Sequence, residues 1–227
     1  QELRSAEGLK DMAHMNGYCY YVAGVVGEML TELFCEYSDQ IARNHEPLLT
    51  RAASFGQGLQ MTNILKDFWE DRERGACWLP RDIFQNAGID LAHLEKGRYT
   101  PQFGDCLEEL IGIAHQHLRN ALHYTLFIPS SEREIRKFCL WAIGMALLTL
   151  KNINQSRDYA CGRQVKITRR DVKAIIAASG LTLWNNRLLW GTYRIASRGL
   201  PLNSDGEHHK ENLKRNHSPA DIADKPE

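Results

Sequence analysis

Apolar positions in this chain recur at spacings of three and four almost throughout, the period of helices that bury one face. Over residues 18–37, Val22, Val25, Val26, Met29, Leu30, Leu33 and Phe34 keep that spacing and predict one helix. Ala23, Gly24 and Gly27 lie on a neighbouring part of it. Small residues cost helix propensity, so they mark a close approach of another helix or of a ligand. A second helix is predicted over 50–74, stopping at Gly75. Residues 76–101 carry Pro80, Gly88, Gly97 and Pro101 and read as a long connection with one short helix. A third helix spans 104–126 and ends before Pro129. Ser131, three before Glu134, forms the pattern of a capping box opening a helix that runs to about Ser156. Thr168 and Asp171 repeat the device less perfectly, and Ser179-Gly180 ends that short helix. Residues 181–196 form a last amphipathic helix with Leu183, Trp184, Leu188, Leu189 and Trp190. No strand alternation of useful length and no internal repeat appear. The expected fold is all-α, a packed helical bundle over 1–198 followed by a polar, disordered tail over 199–227.

At 227 residues the chain is long enough for a substantial core, and its 43% hydrophobic and 25% charged shares are ordinary for a globular protein. No run of about eighteen uncharged apolar residues could span a bilayer. Trp184 and Trp190 with Leu188 and Leu189 leave room for peripheral membrane contact, although packing on the bundle is the commoner fate. Lys+Arg and Asp+Glu both number 28, so no basic surplus points to nucleic acid, while a local cationic site for a diphosphate remains compatible. The six cysteines include no Cys-x-x-Cys pair, and Cys19, Cys35 and Cys139 fall in apolar stretches as reduced thiols. A reducing cytoplasm is the expected compartment. His115 and His117 point to opposite sides of a helix, which disfavours a zinc site. The chain opens on Gln1 with helix-like turns, so a fragment lacking an N-terminal part is expected.

The most informative chemistry lies between Gln60 and Gly75. At about 100° per residue, with Gln60 at zero, Asn63 falls near 300°, Asp67 near 340° and Asp71 near 20°. Glu70 falls near 280°, and Met61, Leu65, Phe68 and Trp69 occupy roughly 80–180°. Oxygen-bearing side chains thus form a column on one face. Oxygen ligands suit Mg²⁺, which keeps several waters and bridges to substrate phosphates. Lys66, Arg72 and Arg74 supply positive charge nearby. The same spacing also fits a solvated helix face.

Tyr18, Val22, Val25 and Met29 share one side of the preceding helix. They form either an apolar pocket wall with one phenol at its end, or core with a tyrosine at its rim.

The run Tyr18-Cys-Tyr-Tyr-Val-Ala-Gly-Val-Val-Gly27, followed by Gln60-x-x-Asn63-Ile-x-Lys66-Asp67-x-x-x-Asp71, closely resembles the squalene/phytoene synthase family. The resemblance continues through Trp78-Leu-Pro80, Phe138-Cys-Leu-Trp-Ala142 and Val165-Lys-Ile-Thr-Arg169, covering about residues 9–178. It implies the all-α isoprenoid synthase fold and head-to-head joining of two prenyl diphosphates with Mg²⁺. By that resemblance Asn63, Asp67 and Asp71 hold Mg²⁺ against a diphosphate, and Gln60, Lys66, Val22 and Tyr159 contact substrate. Lys66 stands where the family usually has Arg, keeping the charge but losing the bidentate fork. Tyr18 matches the catalytic tyrosine of cyclopropane formation, and Phe138 an aromatic residue that guards the carbocation.

The implied reaction joins two farnesyl diphosphates to presqualene diphosphate, and NADPH then delivers hydride to give squalene. The Tyr-Cys-x-Tyr-Val-Ala-Gly run is similar to squalene-forming members. Dehydrosqualene or phytoene synthesis without NADPH is the nearest alternative, and a non-catalytic binding or assembly module a more distant one. Asp67 to Asp71 is the only Asp-x-x-x-Asp in the sequence, whereas the family carries two such motifs. These residues alone are therefore expected to turn over no substrate.

Overall fold

The computed structural model describes residues 6–203. The elements in chain order are α1 (Met12–Cys19), a π-helical turn (Tyr20–Gly24), α2 (Val25–Tyr37), α3 (Asp39–Ala42) and α4 (His45–Glu73). Then come α5 (Arg81–Asn86), a 3-10 turn (Leu91–His93), α6 (Pro101–Phe127), α7 (Arg133–Gln155), α8 (Gly162–Val165), α9 (Arg169–Thr182) and α10 (Asn186–Ala196). Among the described residues there is no strand, only an isolated bridge between Leu9 and Pro80. The all-α expectation holds.

α4 is the central helix, packed against α6, α2, the π turn and α7. It begins five residues earlier than the 50–74 segment expected from pattern. Pro47 lies in its first turn, where the missing N–H has no partner to lose. The small residues mark the crossing of α4 with the preceding helix. A Cβ on Gly27 would overlap the Ala52 carbonyl, and one on Gly56 the Ala23 carbonyl. Backbone therefore meets backbone at this crossing. Around it, Thr31 Oγ1 and the Tyr124 hydroxyl share a buried 2.9 Å hydrogen bond, and Tyr124 stands edge-on to Phe55.

Several boundaries differ from expectation. The segment read as one helix from residue 18 starts at Met12 and is interrupted by the π turn, which inserts an extra residue into the register. α7 has no side-chain cap, because Ser131 Oγ donates to Gln40 Oε1 (2.8 Å) and Glu134 pairs with Lys137. The capping box at Thr168 and Asp171, expected to be the weaker, has both arms formed. α9 runs past Gly180 to Thr182, and Asn185 caps α10. The first residues of the expected tail are docked on the bundle. His115 bonds the Pro201 carbonyl at 2.7 Å, Asn203 bonds the Glu109 carbonyl, and Gly112 leaves room for Asn203. The rest of that tail lies outside the described residues.

All six cysteines are free thiols. Cys19 and Cys139 are buried, and burial pushes both thiols up to about 12.

Candidate active site

The polar column occupies the last turns of α4, opposite buried Leu65, Phe68 and Trp69. Gln60, Lys66, Asp67, Glu70 and Asp71 are partly exposed and Asn63 is exposed. Lys66 Nζ sits 3.1 Å from Asp67 Oδ2 and donates to Asn63 Oδ1 at 3.4 Å. Arg74 lies 3.6 Å from Asp71. Arg72, expected to supply positive charge near the column, points elsewhere. It donates to the carbonyls of Leu91, Leu94 and Ala6 and so ties down the connection after α4.

α8 closes one side of the column. The Gly162 N–H donates to Glu70 Oε1 at 2.8 Å, and a Cβ on Gly162 would press on Lys66 O and Asp67 Oδ1. Tyr159 anchors this arrangement from below. Its carbonyl accepts from the Trp69 indole at 2.6 Å, and its hydroxyl donates to the Leu65 carbonyl. Tyr159 was expected to touch substrate. It is instead buried with its hydroxyl committed to backbone, so it holds the floor of the site rather than an open face.

Tyr18 approaches the other end of the column from α1. Its ring stacks on Trp78 with centroids 4.4 Å apart and planes 8° apart. Burial, Cys19 and the negative charge of Asp71 raise the phenol's pKa. Asp71 is itself raised by burial and by Asp67 and Glu70, while Arg74 and a hydrogen bond from the Trp78 side chain pull it back. Trp78 thus stacks on one of these residues and faces the other, a role that helical spacing does not signal. Its loop is held by Leu9, whose N–H donates to Leu79 O at 2.9 Å and whose carbonyl accepts from Arg81 N at 2.7 Å.

Beyond Tyr18 the apolar wall is not core. Val22 is 45% exposed and Met29 53%, with Val25, Val26 and Leu33 also exposed. Val22 lies within the π turn, where no sequence pattern signals the altered register. Phe138 is exposed and stands edge-on to Phe34 at 6.4 Å. Phe34 lies roughly 24 Å along the helix from Tyr18. Tyr18, Val22 and the column therefore meet at one end of the wall, and Phe138 belongs to its far end.

Among the described residues no three His, Cys, Asp or Glu side chains converge to cage an ion. His115 and His117 diverge, one to Pro201 and the other to Ser54. The column still fits Mg²⁺ in its usual protein mode, with one or two carboxylates plus water and substrate phosphates. Asp67 and Asp71 stand a turn apart with mutual repulsion raising Asp71, and Glu70 Oε2 is buried without a partner. A cation would relieve both.

Comparison with known proteins agrees with this geometry. The family model for squalene/phytoene synthase matches residues 1–171, and the chain belongs to that family. A squalene synthase of Gibberella zeae is 31% identical over 170 residues, covering 74% of this chain and 36% of its own length. A phytoene synthase of Thermus thermophilus is 36% identical over 110 residues, covering 48% of this chain and 35% of its own. Among solved structures, TcSQS in complex with BPH1237 superposes with a TM-score of 0.64 at 24% identity, over 91% of this chain and 60% of that one. A dehydrosqualene synthase in complex with ligand gives 0.63 at 22%, over 78% and 59%. The chain thus spans little more than a third of these curated relatives, and at these identities the structural matches speak for the fold.

Proposed function

We propose that these residues form the Tyr18 and second aspartate-motif side of a site that condenses two farnesyl diphosphates head to head, giving presqualene diphosphate and then squalene. The observation that supports it is the meeting of Tyr18 with Asp71 at the mouth of an open apolar wall. In this reading Asn63, Asp67 and Asp71 hold Mg²⁺, which when bound neutralises the diphosphate and eases its departure. Gln60 and Lys66 orient the diphosphate, and Lys66 is already drawn to the column by Asp67 and Asn63.

The exposed wall of Val22, Val25, Met29 and Leu33 runs about 16 Å along the helix and accepts a prenyl chain, excluding water from the reacting carbon. Aromatic faces along it, with Phe138 at the far end, attract a carbocation. Tyr18 relays the proton lost when the cyclopropane closes, its neutral phenol passing its own proton to an oxygen of the departed diphosphate as it accepts the one from the substrate. Its phenol stays protonated until then, since burial and Asp71 both oppose the phenolate.

The Thermus relative favours a second reading, in which condensation ends without hydride transfer. Product analysis of the full-length protein with farnesyl diphosphate and Mg²⁺, with and without NADPH, separates the two. Squalene with NADPH and the cyclopropyl diphosphate without it supports the first. Dehydrosqualene under both conditions supports the second, and no condensation product contradicts the farnesyl assignment.

A further inference from the structure

The last two helices carry a charge and an exposed apolar surface that the proposed reaction does not use. Over residues 162–198 there are eight Lys and Arg against one Asp, a surplus of seven in a chain whose net charge is zero. The single acid, Asp171, is committed to the cap of α9, accepting from Thr168 N at 2.7 Å and Thr168 Oγ1 at 2.8 Å. Among the described residues none of the eight cations is in an ion pair.

The inner faces of α9 and α10 are accounted for. Ile175, Ala178 and Thr182 of α9, with Leu189, Thr192 and Tyr193 of α10, line a narrow apolar cleft of about 210 Å³ against α7. The faces turned away from that cleft hold Ile176, Leu181, Leu188 and Ile195, with Trp184 between the helices. Leu181 is 78% exposed and Ile195 76%. Arg169, Arg170 and Lys173 precede Ile176 on α9, and Arg187 and Arg194 flank Leu188 and Ile195 on α10. Arg133 lies over the Trp184 ring at 3.6 Å, adding a cation beside an exposed indole.

We propose that the outer face of α9 and α10 docks on an anionic lipid bilayer. Basic side chains interleaved with exposed aliphatic ones suit a headgroup layer with acyl chains beneath it. A tryptophan at the boundary suits the same interface. A nucleic acid would engage the cations but leave Leu181, Leu188 and Ile195 without a counterpart, so the aliphatic residues select the lipid. Among the described residues no helix is long and apolar enough to cross a membrane, and the proposed contact is of this face with the bilayer surface.

The test is co-sedimentation of the protein with phosphatidylcholine vesicles and with vesicles containing about one-third phosphatidylserine. We expect partitioning about tenfold or more stronger to the anionic vesicles, reduced by high salt. A charge variant (Arg169→Glu, Arg170→Glu, Lys173→Glu) and an apolar variant (Leu181→Asp, Ile195→Asp) should each abolish the preference while circular dichroism stays unchanged, since all five side chains are exposed. Equal partitioning to both vesicles, or binding untouched by either variant, overturns the proposal. Binding to a soluble oligonucleotide without vesicle partitioning also overturns it and reassigns the cations.

Discussion

Trp78 lies flat on Tyr18, with ring centroids 4.4 Å apart, and the same side chain faces Asp71, whose pKa it helps to hold down. One residue from the connection after α4 therefore fixes the phenol relative to the carboxylate column. Trp78→Phe keeps a stacking ring and loses the N–H, whereas Trp78→Leu loses both. Turnover of the full-length protein should fall only modestly in the first and about 100-fold in the second, as expected when a reacting group shifts by about an ångström. Tyr18→Phe keeps the stack and the fold but removes the proton carrier. Cyclopropane formation should drop by at least about 100-fold with little change in Tm. Normal product from Tyr18→Phe would reduce the residue to packing.

The helix crossing beneath the site is equally specific. Gly56→Ala must push a methyl into the Ala23 carbonyl and should destabilise the protein by about 3 kcal/mol in urea unfolding. Gly191→Ala on exposed α10, where a Cβ meets nothing within 4 Å, should stabilise it by about 0.5–1 kcal/mol.

His115 provides a pH readout away from the column. Burial lowers its pKa, the Pro201 carbonyl opposes that, and Arg119 adds to the lowering. Nδ1 faces a carbonyl at 2.7 Å and so carries the proton, while Nε2 is buried without a partner. The folded state thus prefers neutral His115. Its contribution to stability is fully present above the unfolded value of 6.5 and is lost as pH falls through the lowered folded value. Tm should decline as pH falls below about 6.5, and His115→Gln should flatten that part of the curve. An identical slope in the variant would remove His115 as the cause.

Much of this was legible in the sequence because it rests on local chemistry. Gly75 stops the column helix at positive φ, the Thr168 and Asp171 box opens α9, and Ala23 and Gly27 foretold a close helix approach. The polar column was readable because helical spacing alone puts Asn63, Asp67 and Asp71 on one side. What escaped depends on partners distant in sequence. Gln40 draws Ser131 away from capping α7, Leu91 and Leu94 draw Arg72 away from the column, and Leu65 and Trp69 bury Tyr159. The exposure of Val22 and Met29 likewise follows from what does not cover them, which periodicity cannot express.

The central claim is that the α4 column engages a prenyl diphosphate through Mg²⁺ with its tail along the α2 wall. It is tested most directly by titrating the protein with a non-hydrolysable farnesyl diphosphate analogue, with and without Mg²⁺, by calorimetry. The account expects binding only with Mg²⁺, weakened at least about 100-fold in Asp67→Asn and retained in Tyr18→Phe. Binding that ignores Mg²⁺, or that survives Asp67→Asn unchanged, would contradict it.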